Sequence, residues 1–127
     1  MIRIFIVDDD PSLQKLYSLI LKEAGFEIVD TAFSGKTAIE KFNNFKEKPD
    51  IILMDHRMPL KNGLKAMEEI LQTNNHVKII FASADISVKQ KAISLGACAF
   101  LDKPFNMRKL LRVIQNVCED LMLKNSN

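Results

Sequence analysis

The sequence contains little cysteine and no long apolar run. Its two cysteines, Cys98 and Cys118, form neither a CxxC pair nor a metal-ligand spacing, so we expect buried, unreactive thiols in a reducing compartment. No stretch approaches the ~18 apolar residues of a membrane span, and the opening apolar segment at 2–7 ends in acid instead of a small-residue cleavage site. These absences predict a cytoplasmic protein that does not bind a membrane.

Basic residues are not concentrated anywhere in the chain. The 18 Lys and Arg are scattered and the formal net charge is only +2, so we expect no direct binding of nucleic acid. A hydrophobic share of 47% with 27% charged residues is typical of a folded globular protein and not of a disordered chain. The length of 127 residues fits one domain, which we assign to residues 1–123, followed by a C-terminal tail at 124–127.

Short apolar segments alternate with helical patterns along the chain. The predicted strands are 2–7, 27–32, 51–54, 77–82 and 99–101, and their continuous apolar character is typical of parallel strands covered on both faces. The predicted helices follow Pro11 and then occupy 36–45, 64–71, 86–95 and 106–123. This alternation predicts an α/β fold in which an open parallel sheet carries helices on both faces.

The first and last helices show the clearest apolar faces. The first face comprises Leu13, Leu16, Tyr17, Ile20, Leu21 and Ala24. The last comprises Leu110, Ile114, Val117 and Leu121. Both sets follow the helical period, so we expect them to pack on the sheet. Asp10 and Asn106 are the expected N-caps of these helices, and Gly96 is expected to end the fourth helix in a left-handed conformation.

Acidic residues are concentrated in one place, where Asp8, Asp9 and Asp10 follow the first predicted strand directly. Two carboxylates about 4 Å apart repel by roughly 4 kcal/mol at an effective dielectric near 20, so such a run must be solvated, spread or matched by a cation. Helix capping is the structural alternative, and it accounts for Asp10. It does not account for the polar residues at the ends of other strands.

Those polar residues share one position in the predicted sheet. Asp55 follows the third strand, Ser83 closes the fourth and Lys103 follows the fifth, and the carboxyl ends of parallel strands form the binding crevice in such folds. Asp8, Asp9 and Asp55 facing Lys103 leave a surplus of two negative charges. Because carboxylate oxygens select hard cations and leave room for water and phosphoryl ligands, we expect Mg²⁺ there.

The motifs at these strand ends resemble those of the receiver domain of two-component response regulators. They are VDD at 7–9, ILMDHRMP at 52–59 with a glycine at 63, ASA at 82–84 and KPF at 103–105. The match spans essentially the whole chain, and the four motifs occur in the family's order. The resemblance implies a doubly wound five-stranded parallel sheet flanked by five helices, flavodoxin-like, with strand order 2-1-3-4-5.

The resemblance also implies a function and a set of site residues. The chain would be a phosphorylation-activated switch that receives a phosphoryl group from a sensor histidine kinase or a phosphotransfer protein. It would not be an enzyme, since it promotes only its own phosphorylation and dephosphorylation. The implied metal ligands are Asp8, Asp9, Asp55 and the backbone carbonyl of Arg57. Asp55 would become the aspartyl phosphate, and Ser83 and Lys103 would each bond a phosphoryl oxygen.

A second implied feature is the response to phosphorylation. Ser83 would pull an aromatic residue inward, and the matching position is Phe100, where most relatives have tyrosine. Phenylalanine keeps the volume and loses the hydroxyl, so the switch here would depend on packing; the alternative is that Phe100 is a plain core residue. The surface of the fourth helix, fifth strand and fifth helix would then contact an unknown target and admits a phosphorylation-dependent dimer.

Three further residues border the predicted site. Arg57 and Asp85 lie two positions after Asp55 and Ser83, and we hypothesise that they pair across the mouth of the pocket and prolong the phosphorylated state. His56 is expected to face away from the site, because neighbours in an extended segment point to opposite sides. His76 precedes the fourth strand and is expected to be a solvated loop residue.

Three other functions are alternatives to this interpretation. A flavodoxin-type cofactor binder needs a hydroxyl- and glycine-rich phosphate loop after the first strand. This chain has aspartates there, and they would repel a flavin phosphate. A haloacid dehalogenase-type phosphatase needs an acid two residues after its nucleophile, where this chain has Arg57. A phosphorylation-independent interaction module with the same fold is the alternative in a different class. The sequence leaves open whether the chain acts alone or belongs to a longer regulator with an output domain.

Overall fold

The computed structural model describes residues 1–125, and within them five strands alternate with five α-helices. The strands are β1 (Arg3–Val7), β2 (Glu27–Ala32), β3 (Ile51–Asp55), β4 (Lys78–Ser83) and β5 (Ala99–Asp102). The helices are α1 (Pro11–Glu23), α2 (Gly35–Asn44), α3 (Gly63–Thr73), α4 (Lys89–Leu95) and α5 (Met107–Asn125). Residues 126 and 127 of the predicted tail lie outside the described part, and the proposed domain boundary stays a prediction.

The five strands form one parallel sheet in the order β2-β1-β3-β4-β5. This confirms the predicted doubly wound fold and its strand order. The pairing places Asp55 opposite Ala82 and Ser83 opposite Asp102. The carboxyl ends of β3, β4 and β5 are therefore level with one another, which brings the residues that follow them to one edge of the sheet.

Two apolar cores lie on the two faces of the sheet, because successive strand residues point to opposite sides. On one face, Phe5, Ile52, Met54 and Phe81 pack with helices α2, α3 and α4. On the other, α1 and α5 pack on a second set of strand residues, which includes Ile4, Ile6, Leu53 and Ile80. Each fully buried side chain of this size stabilises the fold by about 1.5–3 kcal/mol relative to exposure.

The helix ends follow the predicted caps. The carboxylate of Asp10 accepts hydrogen bonds from the first-turn amides of α1, and Asn106 accepts one from the Lys109 amide at the start of α5. Gly96 ends α4 with a φ of 121°. The predicted fourth helix begins instead as a 3-10 turn at Ile86–Val88, where the Asp85 carboxylate caps the turn and α4 follows it.

The apolar face predicted for α1 was partly wrong. Leu16 is 40% exposed and Ala24 is exposed, whereas Gln14 is only 4% exposed and lies between the sheet and the helix. The face that packs on the sheet contains Gln14, Tyr17 and Leu21, spaced three and four residues apart. A polar residue occupies the position because its amide has hydrogen-bond acceptors there, as described below. The face predicted for α5 is confirmed, with Leu110, Ile114 and Val117 buried and Leu121 partly buried.

The prediction that both thiols are buried was also wrong. Cys98 is exposed and Cys118 is half-buried; Cys98 lies just before β5, at the edge of the sheet. Its sulfur still contacts the Ile79 carbonyl at 3.4 Å, and burial around the sulfur raises the pKa of the Cys98 thiol. His76 is exposed, as expected. Within residues 1–125, no helix combines the length and apolar character needed to cross a bilayer.

Candidate functional site

Three carboxylates meet at the carboxyl edge of the sheet. Asp8 and Asp9 follow β1, Asp55 is the last residue of β3, and one carboxylate oxygen of each lies within 4.8 Å of the others. Asp8 and Asp55 are buried, at 3% and 7% exposure, while Asp9 is exposed. The fold therefore brings together residues that are 47 positions apart in the sequence, and it does so at the edge that the strand pattern predicts.

The ammonium group of Lys103 bridges two of these carboxylates. Its Nζ donates to Asp8 Oδ2 and to Asp55 Oδ1, each at 3.0 Å. The two carboxylates raise the pKa of Lys103, against the opposing effect of burial. Lys103 is thus a cation, and it neutralises one of the three acids.

The surroundings of Asp55 disfavour its charged form. Burial raises the pKa of Asp55 from 3.8 to about 6, and the neighbouring Asp8 carboxylate adds to the effect, whereas Lys103 opposes it. A carboxylate that is held at this edge with too little positive charge gains stability from any further cation. The raised pKa of Asp55 and the formal surplus of two negative charges both favour an added cation at this edge.

Ser83 lies at the same edge, on the neighbouring strand. It is 3% exposed, and its Oγ accepts a hydrogen bond from the Asp85 amide at 3.0 Å. The Ser83 carbonyl accepts another from the Lys103 amide at 3.0 Å. The backbone link fixes Lys103 beside the end of β4, and the hydroxyl retains its hydrogen as a donor for an incoming oxygen.

The loop between β3 and α3 is held under conformational strain. Leu60 and Lys61 both have positive φ, 60° and 138°, which is costly for residues other than glycine. Two backbone hydrogen bonds fix this loop: Gly63 N donates to His56 O at 2.9 Å, and Gly35 N donates to Lys61 O at 3.1 Å. The loop that follows the central acid is therefore anchored both to itself and to the start of α2.

Gly63 is required by close approach in that loop. A Cβ atom at this position would lie 2.1 Å from the backbone carbonyl oxygen of Asp55. No side chain fits at that separation, so the turn that returns the chain over the end of β3 needs glycine. The sequence motif contained this glycine, but its contact with Asp55 is visible only in the folded chain.

Aromatic rings connect the neighbourhood of Asp55 to the surface of α4. The His56 ring packs against Phe81 at 5.7 Å between centroids, and Phe81 stacks on Phe100 at 6.1 Å. Lys89 Nζ lies 5.9 Å from the centroid of the half-buried Phe100 ring. Burial lowers the pKa of His56, so its ring is neutral at pH 7. Phe100 is thus in contact both with the core and with α4.

Arg57 and Asp85 do not form an ion pair in the described part of the chain. The Asp85 carboxylate instead accepts hydrogen bonds from the amide and hydroxyl groups of Ser87. These bonds lower the pKa of Asp85, and the charge of Arg57 contributes less. The predicted pairing is absent because capping the 3-10 turn already occupies the carboxylate. The role of the Arg57 carbonyl as a metal ligand stays a prediction.

The donor set fits Mg²⁺. All three clustered side chains offer carboxylate oxygens, two of them are buried, and one lysine leaves a formal surplus of two negative charges. Mg²⁺ prefers oxygen ligands, and it retains waters where the protein supplies only a few of them. Asp10 is not part of this set, because its carboxylate caps α1.

The sequence pattern did not indicate Gln14 as a residue of the site. Its side-chain amide donates to the carbonyl oxygens of Ile6, Asp8 and Ala32 at 3.3, 3.1 and 2.7 Å. These carbonyls belong to the carboxyl ends of β1 and β2 or follow β1 directly. The available signal was a lone glutamine between apolar positions of α1, a pattern that also occurs on exposed helix faces.

Comparison with known proteins agrees with this geometry. A family model described as the response regulator receiver domain matches residues 4–115. The chemotaxis protein CheY of Bacillus subtilis is 38% identical over 114 residues, which cover 88% of this chain and 93% of that protein. The CheY of Thermotoga maritima is 35% identical over 117 residues, covering 91% and 96%.

Solved structures with the same fold include two complexes with magnesium and a beryllium fluoride. The CheX-CheY-BeF3-Mg complex from Borrelia burgdorferi aligns with a TM-score of 0.87 and 29% identity, covering 91% of this chain and 88% of that one. The response regulator TrrA from Thermotoga maritima, in complex with Mg(2+)-BeF, aligns with a TM-score of 0.82 and 33% identity, covering 92% and 99%. Those ligands are bound by those proteins.

Proposed function

Because this chain belongs to the family of response regulator receiver domains, we propose that it is a phosphorylation-activated switch in which Asp55 accepts the phosphoryl group. One observation carries the proposal. The oxygens of Asp8, Asp9 and Asp55 lie within 4.8 Å of one another, and Lys103 bridges two of these acids at 3.0 Å. Such an arrangement suits phosphoryl transfer, in which the protein contributes mainly position and electrostatic stabilisation.

The reaction begins with a carboxylate oxygen of Asp55 facing a phosphorus atom carried on a histidine nitrogen of the donor. The new O–P bond forms as the P–N bond breaks, and its electron pair stays on the imidazole nitrogen. The product is an acyl phosphate on Asp55. Asp8, Asp9, Asp55 and the backbone carbonyl of Arg57 would hold Mg²⁺, which would supply positive charge beside the transferring oxygens. The chain promotes only this transfer and the later hydrolysis, so it is a switch and not an enzyme acting on a separate substrate.

Lys103 and Ser83 have complementary roles in this proposal. Lys103 pairs with both buried carboxylates in the structure, and it exchanges the Asp55 contact for a phosphoryl oxygen once Asp55 is phosphorylated. Ser83 donates its hydroxyl hydrogen to another phosphoryl oxygen. Its hydroxyl presently accepts from the Asp85 amide, so movement of Ser83 also moves the loop that leads into α4.

The signal then reaches the surface through Phe100. Its ring packs between Phe81 and Lys89, so a shift of the β4–α4 loop alters what the ring contacts. Ile86 and Ile93 are 72% and 45% exposed and line a surface groove together with Lys89. We assign this surface, formed by α4, β5 and α5, to a downstream protein target, to an output domain or to a phosphorylation-dependent dimer.

The donor is a sensor histidine kinase or a phosphotransfer protein, and the compartment is the cytoplasm. Both cysteines are free thiols in the structure, which suits a reducing compartment. Scattered basic residues support protein partners over direct nucleic-acid binding.

The test is incubation with a small acyl phosphate donor and Mg²⁺, followed by intact-mass measurement. The wild type should gain the mass of one phosphoryl group, and Asp55→Asn should gain none. Asp102→Asn is the matched control, since this exposed acid lies one residue before Lys103, and it should react like the wild type. Wild-type protein that binds Mg²⁺ but gains no mass would instead identify a phosphorylation-independent interaction module.

A further inference from the structure

Gln14 is a buried polar residue that lies outside the set of acids and Lys103. It is 4% exposed and sits one turn into α1. Its Nε2 faces three backbone carbonyl oxygens, and its Oε1 is buried without a hydrogen-bond partner in the described part of the chain. A buried polar atom without a partner lowers stability. A stable helix packed on a sheet does not require such a residue, so its other contacts must explain its presence.

The contacts of Gln14 converge on Asp8. Its Nε2 donates to Asp8 O at 3.1 Å and to Ala32 O at 2.7 Å, and Ala32 O also accepts from the Asp8 amide at 3.0 Å. Both the amide and the carbonyl group of Asp8 are therefore fixed in one network. These bonds restrict rotation of the Asp8 backbone, and they thereby fix the direction in which its side chain leaves the chain.

The carboxylate of Asp8 is fixed as well. Its Oδ1 accepts from the Asp10 amide at 2.9 Å, and its Oδ2 pairs with Lys103 at 3.0 Å. Among these bonds, the one from Gln14 is the side-chain hydrogen bond to the Asp8 backbone. An uncharged amide donor suits this position, because all three partners are carbonyl oxygens and the site already contains the Lys103 cation.

We infer that Gln14 is a positioning residue of the magnesium site: by holding the Asp8 carbonyl, it orients the Asp8 carboxylate before the metal arrives. This inference rests on the proposed Mg²⁺ site. Groups that orient metal ligands typically contribute about 10- to 100-fold in metal affinity. Without Gln14, part of the binding free energy is used to order Asp8.

The test is calorimetric Mg²⁺ titration of the wild type and of Gln14→Met, which keeps the length and volume of the side chain but removes its donor. We expect Gln14→Met to bind Mg²⁺ about tenfold more weakly under conditions where circular dichroism shows it to be folded. Gln115→Met makes the same change at an exposed position of α5 and should bind like the wild type.

The outcomes separate the inference from the proposed function. If the wild type does not bind Mg²⁺, both fail. If the wild type and Gln14→Met bind equally while the variant is less stable in a chelator, Gln14 has only a structural role and the inference alone fails. Should Gln14→Met not fold, the side-chain amide NMR signals of the wild type decide. Gln14 signals that shift on Mg²⁺ addition while those of Gln115 do not support the inference, and unchanged Gln14 signals overturn it.

Discussion

Replacing Asp55 with asparagine should stabilise the metal-free protein at neutral pH. Burial raises the pKa of Asp55 from 3.8 to about 6, so the folded state disfavours the charged carboxylate. A difference of about two units corresponds to roughly 3 kcal/mol at 1.36 kcal/mol per unit. Solvent at the open edge of the sheet screens these charges, which reduces the expected gain to about 1–2 kcal/mol.

The gain should depend on pH in a defined direction. Because the pKa of Asp55 is higher in the folded chain, the wild type is stabilised fully below about pH 4 and loses this contribution as the pH rises to about 6. Asp55→Asn lacks the titrating group, so its stability does not fall in this way as the pH rises. The two proteins should therefore differ little in this respect near pH 4, and the variant should be the more stable above pH 6.

Urea unfolding in a chelator, followed by far-ultraviolet circular dichroism, measures this difference. The sole tyrosine, Tyr17, is buried in α1, so its fluorescence gives a second probe in a protein without tryptophan. Asp102→Asn, at an exposed acid, is the control and should stay within about 0.5 kcal/mol of the wild type. An Asp55→Asn midpoint at or below that of the wild type at pH 7.5 would refute the reasoning.

Three substitutions test other parts of the site by urea unfolding. Leu60→Gly should raise stability by about 0.5–1 kcal/mol, because an exposed leucine with a φ of 60° is relieved of strain; a lower midpoint would contradict that strain. Gly63→Ala should lower stability by about 1–3 kcal/mol, since its Cβ would lie 2.1 Å from Asp55 O, and wild-type behaviour would show that the loop adapts freely. Asp10→Ala should cost about 1 kcal/mol through loss of the cap and leave Mg²⁺ affinity unchanged; weakened Mg²⁺ binding would place Asp10 among the metal ligands.

The architecture was predictable because the three central strands, β1, β3 and β4, are buried almost throughout. Short segments rich in apolar residues identified all five strands, and β2 was predicted at its observed bounds, 27–32. The alternation with helices then left few topologies to consider. The errors in the helices concern the buried face of α1 and the start of α4, which follows a 3-10 turn. Leu16 was assigned to the core of α1 and is 40% exposed, because the apolar period alone does not show which of two adjacent stripes meets the sheet.

The acids of the site were predictable from their positions at strand ends. The hydrogen bonds that hold the backbone around them were not. Asp55 and Lys103 are 48 residues apart, and the rule that parallel strands share a carboxyl edge sufficed to bring them together. Gln14 and the bond from Gly35 to Lys61 act on backbone carbonyls, and backbone partners have no signature in side-chain type. The predicted Arg57–Asp85 pair is absent because Asp85 caps the 3-10 turn locally, through the Ser87 amide.

The costs to stability in this fold are concentrated at one edge of the sheet. Among the described residues, the buried polar or charged ones are Asp8, Gln14, Ser34, Asp55 and Ser83. Each of them ends a strand, follows one or contacts a strand end, and the two non-glycine residues with positive φ lie in the loop after β3. Such local violations of ordinary stability rules are expected at functional sites.

A cation that binds only the folded state adds about 1.4 kcal/mol of stability at tenfold above its dissociation constant, which is comparable to the cost assigned to the Asp55 charge. Loading the edge with a divalent ion should therefore cancel the advantage of Asp55→Asn, because the wild type keeps all its carboxylate ligands and the variant has lost one.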